Sequence, residues 1–122
     1  MPSRRDVDPL AIPGYLLAHL ELIDVFRHPE LRFRWRLIGT HVTTAVGRDQ
    51  TGRYFDEVCP GDDLAAVSEP FKWVVKNVQP QRWLGTSGFI GRNSQAYEGV
   101  YLPLSDGAPV DMIFAGVQYD LR

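Results

Sequence analysis

Residues 31–38, LRFRWRLI, constrain the fold of this chain more than any other stretch. Apolar side chains alternate here with three arginines. The apolar positions are Leu31, Phe33, Trp35 and Leu37. A period of two, with apolar and charged residues on opposite sides, indicates a β-strand with one buried face. The turn-forming sequence His28-Pro29-Glu30 separates it from the apolar residues 19–27, so we predict a β-hairpin.

The first strand of this hairpin, residues 19–27, changes phase along its length. Leu20 and Leu22 share one face, whereas Ile23 and Val25 share the other. Such a change predicts either a strand that is buried on both sides or a β-bulge.

Helical patterns fill the middle of the chain. One turn from Thr40 or His41 to Val46 ends at Gly47, and a second short piece covers residues 53–58. A longer amphipathic helix follows, and Gln79-Pro80 ends it. Its apolar residues are Leu64, Val67, Phe71, Val74, Val75 and Val78. Pro70 inside this pattern predicts a kink or the start of a second helix.

The C-terminal third contains three further strand patterns, at residues 82–90, 95–104 and 110–119. Turns are predicted at residues 91–93 and 105–107. The last strand is apolar on both faces, which is typical of a central position in a sheet. We therefore predict one α+β domain over residues 1–122. It has a five-stranded antiparallel sheet with helices packed on one face, and residues 1–18 form an N-terminal cap segment. Within this segment, Asp8 and Pro9 fit the N-cap and the first position of a short helical piece.

Charge and composition narrow the function classes. The net charge of −2 gives no overall attraction to nucleic acid or to an anionic membrane. No apolar run approaches the roughly 18 residues of a membrane span, and we expect no membrane partner. The single cysteine, Cys59, excludes an intramolecular disulfide. A cytoplasmic location is the expectation.

The large residues predicted on the inner faces are candidates for a small-molecule pocket. They are Phe33, Trp35, Phe55, Phe71, Trp73, Val74, Tyr101, Met112 and Phe114. The same residues could instead fill a core, and the sequence leaves both readings open.

The arginines Arg32, Arg34 and Arg36 form a basic stripe on one face of the second strand. They could face solvent and pair across the strands with Glu21 or Asp24. Alternatively, they could dock an acidic protein partner. Nucleic-acid binding is not expected, because no aromatic stacking platform interleaves with them.

No motif for catalysis or metal binding occurs in the chain. His19, His28 and His41 fall in three separate predicted elements, and no His-x-x-x-His or Cys-x-x-Cys is present. No nucleophile elbow is present either. We therefore predict no catalytic residue, no metal site and no enzymatic activity.

Five phrases resemble an alphaproteobacterial subfamily of PAS domains that was formerly catalogued as a domain of unknown function. They are PSRRDVDP at 2–9, RLIGT at 36–40, GRDQTGR at 47–53, YLPLSDG at 101–107 and VDMI at 110–113. The resemblance implies the strand order 2-1-5-4-3. It also implies a bacterial sensory or protein-interaction module without catalysis of its own.

The resemblance also bears on cofactors and partners. Haem-binding PAS domains usually take an axial histidine from the long helix. Residues 62–78 contain no histidine, so haem binding is not expected. Light-sensing relatives use a cysteine where Gln50 stands, so covalent flavin chemistry is not expected. We expect no other cofactor either. Two functions stay open. One is a homodimeric sensor that binds an unidentified small molecule and signals by a population shift to a protein such as a sensor kinase. The other is a ligand-free interaction or dimerisation adaptor that uses the outer sheet face.

Overall fold

Five antiparallel strands form one sheet in the order β2-β1-β5-β4-β3, which confirms the predicted α+β fold and strand order. The computed structural model describes residues 1–59, 61–86, 96–107 and 109–120. The strands are β1 Leu20–Phe26, β2 Arg32–Ile38, β3 Gln81–Thr86, β4 Ala96–Leu104 and β5 Met112–Tyr119. The predicted turn at residues 91–93 and the predicted end of the third strand lie outside the described residues.

Among the described residues, four α-helices accompany the sheet: α1 Gly14–Leu17, α2 Thr40–Val46, α3 Phe55–Val58 and α4 Asp62–Asn77. Helices α2, α3 and α4 pack on one face of the sheet, which we call the inner face. Helix α4 runs through Pro70 without a break, so no second helix starts there. Within the described ranges, no helix has both the length and the apolar character needed to cross a membrane.

The phase change in β1 reflects both predicted causes at once. The interior of β1 is buried on both faces, and its pairing with β2 shifts register between Leu22 and Ile23. Leu22 pairs with Leu37 and Ile23 pairs with Trp35, so the register skips Arg36. The extra residue reverses the alternation. The prediction that Leu37 shares the buried face of Trp35 is therefore wrong: Leu37 lies on the opposite face with 46% of its surface exposed.

The N-terminal cap, residues 1–18, lies on the second face of the sheet, which we call the outer face. Asp8 caps the 3-10 turn Pro9–Ala11 by accepting a hydrogen bond from the Leu10 N–H at 2.9 Å, as predicted. Val7 packs on a small outer-face cluster of Leu22, Leu104, Met112 and Phe114. The Ser105 N–H also donates to the Pro2 carbonyl at 2.8 Å. The cap thus shields apolar residues of the outer face that would otherwise be exposed.

The free edge of β2 is also covered. The Trp35 N–H donates to the Arg53 carbonyl at 3.0 Å, and the Gly52 N–H donates to the Trp35 carbonyl at 2.6 Å. Residues 52–54 therefore occupy the backbone groups of Trp35, in the middle of β2, that an edge strand would otherwise leave unpaired.

Candidate functional site

A small cavity lies between the inner face and the helices. Its volume is about 40 Å³, room for about one or two waters. Small-molecule sites usually have roughly 300–1,000 Å³. Its polar and aromatic lining consists of Glu21, Trp35, Gln50, Phe71, Tyr97, Tyr101 and Tyr119. Buried apolar side chains of the sheet and the helices form one core cluster around it.

Glu21 is the most unusual residue in this cavity. It is the second residue of strand β1 and is only 6% exposed. The Trp35 indole N–H donates a hydrogen bond to its carboxyl group. Burial nevertheless dominates and raises the pKa of Glu21 to about 7, because a carboxylate loses its hydration there. The prediction that Glu21 could pair with the arginine stripe is wrong, since Glu21 faces the helices.

Three tyrosines share the cavity with Glu21. Burial raises the pKa of all three, and that of Tyr97 reaches about 12, so their hydroxyl groups stay protonated. The Tyr101 ring lies over Gly99, where an added Cβ would come within 2.5 Å of the phenol oxygen. The cluster therefore combines one carboxyl with three hydroxyl groups, a combination that suits a hydrogen-bonded network around a buried water.

Five of the predicted pocket residues form one aromatic cluster. Ring centroids are 4.3 Å apart for Trp35 and Phe55, 5.1 Å for Phe55 and Phe71, and 5.0 Å for Phe71 and Tyr101. Phe33 contacts the same cluster, with its ring 5.5 Å from that of Phe55. These side chains mainly fill the core, although Trp35, Phe71 and Tyr101 also line the cavity.

The remaining predicted pocket residues are more scattered. Val74 is fully buried in α4, and Trp73 beside it is half-buried. Placing Met112 and Phe114 with the inner-face residues is wrong, because both belong to the outer-face cluster. In β5 the inner face instead receives alternate residues beginning with Ile113.

Nine residues that line the cavity were not among the predicted pocket residues, and four of the nine have polar side chains: Glu21, Gln50, Tyr97 and Tyr119. A signal existed for Glu21, because it has the same parity as Ile23 and Val25. Tyr97 likewise shares the parity of Tyr101 in β4. No comparable pattern points to Gln50, which follows the loop residue Asp49.

The arginine stripe is paired within the chain. Arg32 forms a two-point ion pair with Asp56, at 2.6 and 2.8 Å, and lies 3.7 Å from the centre of the Tyr54 ring. Arg34 and Arg36 both contact Asp24, at 2.7 and 3.7 Å, which confirms the predicted pairing with Asp24. Arg32 also lowers the pKa of Asp56. An acidic partner would therefore have to compete with carboxylates that already hold these cations.

The histidines include one close pair. The rings of His19 and His41 lie 4.0 Å apart, although they come from different elements. His19 Nδ1 donates to the Val117 carbonyl at 3.0 Å, and His41 Nε2 accepts from the Tyr119 N–H at 3.1 Å. Burial lowers the pKa of His41. Both rings thus form hydrogen bonds with the backbone of β5. In the described part of the chain, no three His, Cys, Asp or Glu side chains converge as metal ligands.

A larger and mainly apolar groove lies on the other side of the sheet, between the N-terminal cap and the outer face. This outer groove has a volume of about 490 Å³, which falls in the range of small-molecule sites. Its apolar lining includes Val7, Pro9, Ile12, Leu17, Leu20, Leu22, Leu37 and Phe114. Arg4 is the single charged residue among the described residues that line it. The outer groove can therefore take an apolar molecule of metabolite size, which the inner cavity cannot.

The family models and the curated proteins with which the chain was compared gave no match.

Proposed function

We propose that the chain is a non-catalytic regulatory module of the PAS type, in which a small apolar ligand binds in the outer groove and controls the N-terminal cap. The strand order and the placement of the helices between β2 and β3 support the PAS-type assignment. The observation that carries the ligand proposal is the outer groove itself, with its apolar walls and its volume of about 490 Å³.

The inner cavity is the weaker candidate for such a ligand. A molecule larger than about two waters would have to displace buried aromatic side chains, and protein cores resist even small increases in volume. The same small volume supports a regulatory rather than a catalytic role, because the titratable groups of the cavity have no room beside them for a substrate.

The cap is suited to respond to a ligand because the ligand would contact two separate parts of the chain. Val7, Pro9, Ile12 and Leu17 belong to the cap, whereas Leu20, Leu22 and Phe114 belong to the sheet. A molecule between them binds the docked cap more strongly than a released one, and so shifts the population toward the docked state. A downstream partner such as a sensor kinase would read the position of the cap.

Filling the outer groove tests this proposal. We expect wild-type protein to bind N-phenyl-1-naphthylamine, a neutral apolar fluorophore, saturably and with a rise in melting temperature. Leu37→Trp places a large side chain at the groove and should weaken binding at least about tenfold. Leu84→Trp is the matched control, because Leu84 is exposed on the same sheet face but does not line the groove. No saturable binding to wild type, or equal binding to both variants, contradicts the proposal.

A second candidate function is homodimerisation through the part of the outer face that the N-terminal cap leaves uncovered. Tyr15, Leu16 and Val100 border a depression there, and Tyr15 is 77% exposed. Arg82 lies on β3 and Glu98 lies on β4, the strand of Val100, and the two side chains form an ion pair at 2.6 Å. A two-fold axis would let these opposite charges exchange partners between copies, which favours a second copy of this chain as the occupant.

Sedimentation velocity tests the dimer. Wild type should sediment as a dimer at tens of micromolar, and Val100→Glu should shift it to a monomer, because the substitution would bury a charge at the interface. Leu31→Glu is the control: it adds the same charge at an exposed residue before β2. A wild-type monomer, or a Val100→Glu dimer, would exclude this surface.

We also infer a cytoplasmic location. Cys59, the single cysteine, is a free, buried thiol, and burial raises its pKa, which suits a reducing compartment.

A further inference from the structure

We propose that the ligand of the outer groove is an amphipathic monoanion, an unbranched or aromatic carboxylic acid whose carboxylate binds Arg4 and whose apolar part lies along the groove. This inference rests on the proposed function and adds the chemical class of the ligand.

The position of Arg4 carries the argument. Its side chain is half-buried at the groove, and its Nη1 donates to the Val7 carbonyl at 3.1 Å, which holds the guanidinium beside the groove wall. No carboxylate among the described residues forms an ion pair with it. The neighbouring Arg5 behaves differently: it is exposed and lies 3.9 Å from Asp106. Of the two adjacent arginines, only Arg4 lines the groove and keeps donor groups for a ligand.

The rest of the lining favours an anionic over a cationic ligand, because its described residues include no carboxylate. Apart from Arg4, the residues around the groove are apolar or neutral, so in the described part of the lining a cationic headgroup would meet no carboxylate. A carboxylate can accept two hydrogen bonds from one guanidinium, and such charge-assisted pairs are strong when partly shielded from water. Each additional methylene group that leaves water for the apolar walls should then raise the affinity by up to about fourfold.

Displacement of bound N-phenyl-1-naphthylamine tests the inference with three ligands of equal chain length. Decanoate, 1-decanol and decylammonium are compared at pH 7.5, below the concentrations at which they form micelles. We expect decanoate to bind about tenfold more tightly than 1-decanol, and decylammonium to bind most weakly. Affinity should also rise from hexanoate to octanoate to decanoate.

Two arginine variants then locate the headgroup. Arg4→Gln should remove the tenfold preference for decanoate over decanol, chiefly by weakening the binding of decanoate, and Arg4→Lys should restore part of it. Arg5→Gln is the matched control and should keep the full preference. Equal binding of decanoate and decanol to wild type, or an unchanged preference in Arg4→Gln, overturns the inference. If the fluorophore itself does not bind wild type, the proposed function fails instead.

Discussion

Replacing Gly39 with alanine should destabilise the protein by about 3 kcal/mol or more, a large share of the stability of a small domain. A methyl group at this position would clash with the carbonyl group of Ala18 and come within 2.7 Å of the Leu17 carbonyl oxygen. Both obstacles are backbone atoms, which cannot turn aside as a flexible side chain would. The chain around Gly39 would have to move.

That movement would break a local hydrogen-bond network. The Gly39 N–H donates to the Leu20 carbonyl at 2.7 Å, and the His41 N–H donates to the Ala18 carbonyl at 2.8 Å. These bonds fix the end of β2 to the junction between the cap and β1. Because Gly39 and Ala18 also line the outer groove, the variant should bind the apolar fluorophore more weakly as well.

Gly14→Ala is the matched control for this prediction. A Cβ at Gly14 meets nothing within 4 Å, and Gly14 lies at the first position of α1 with an ordinary backbone conformation. Alanine there should be neutral or stabilise the fold by about 0.5–1 kcal/mol. Urea unfolding of both variants gives the comparison. Similar unfolding free energies for Gly39→Ala and wild type would show that the close approach to Ala18 is not rigid.

Replacing Glu21 with glutamine should stabilise the protein at alkaline pH and have little effect in acid. The pKa of Glu21 rises on folding from its ordinary value of 4.5 to about 7. Between these values the folded protein holds a proton that the unfolded chain releases. The stability contributed by the protonated side chain is therefore fully present below about pH 4.5 and is lost as the pH rises through about 7.

Glutamine mimics the protonated form at every pH, and its carbonyl oxygen can still accept the hydrogen bond of the Trp35 indole. We expect the difference in unfolding free energy between variant and wild type to grow from near zero at pH 4.5 to a plateau above pH 7. The plateau should be on the order of 3 kcal/mol, as the size of the pKa shift implies. Urea unfolding across this range measures it.

Glu98→Gln is the control, since Glu98 is an exposed glutamate on β4, paired with Arg82. Its difference from wild type should stay small throughout. Burial lowers the pKa of His41, so acid also destabilises the fold below about pH 6.5, but this loss is common to wild type and variant and cancels in the difference. A gap between Glu21→Gln and wild type that does not change with pH would contradict the burial of an ionisable carboxyl group.

Local patterns predicted the fold well because each element has its own periodicity. The alternation of β2 and the double-sided burial of β5 place these strands without knowledge of distant contacts, and a central β5 agrees with the strand order that the resemblance implies. The same property explains the error at Met112 and Phe114. A strand that is apolar on both faces gives no alternation from which to decide which residues face the helices.

Features that depend on contacts between distant segments were not predictable in this way. The bulge at Arg36 is set by the register between two strands, and it moves Leu37 to the outer face. The outer groove requires the cap to fold back over Leu22 and Phe114, which no pattern within residues 1–18 indicates. The residues of the inner cavity come from β1, β2, β4, β5, α2, α4 and the loop that holds Gln50, so only their parity within each strand could be foreseen.

The coverage of β2 by residues 52–54 has a consequence for self-assembly. Strand-by-strand polymerisation, as in amyloid-like filaments, requires every subunit to offer two open edges, one to receive a neighbour and one to continue the chain. Here β2 and β3 are the outermost strands, and the backbone groups of Trp35 in the middle of the β2 edge are already bonded to residues 52 and 53, which blocks a continuous ladder there. At most the β3 edge is left for strand addition, so such growth would end at a closed pair of molecules rather than propagate.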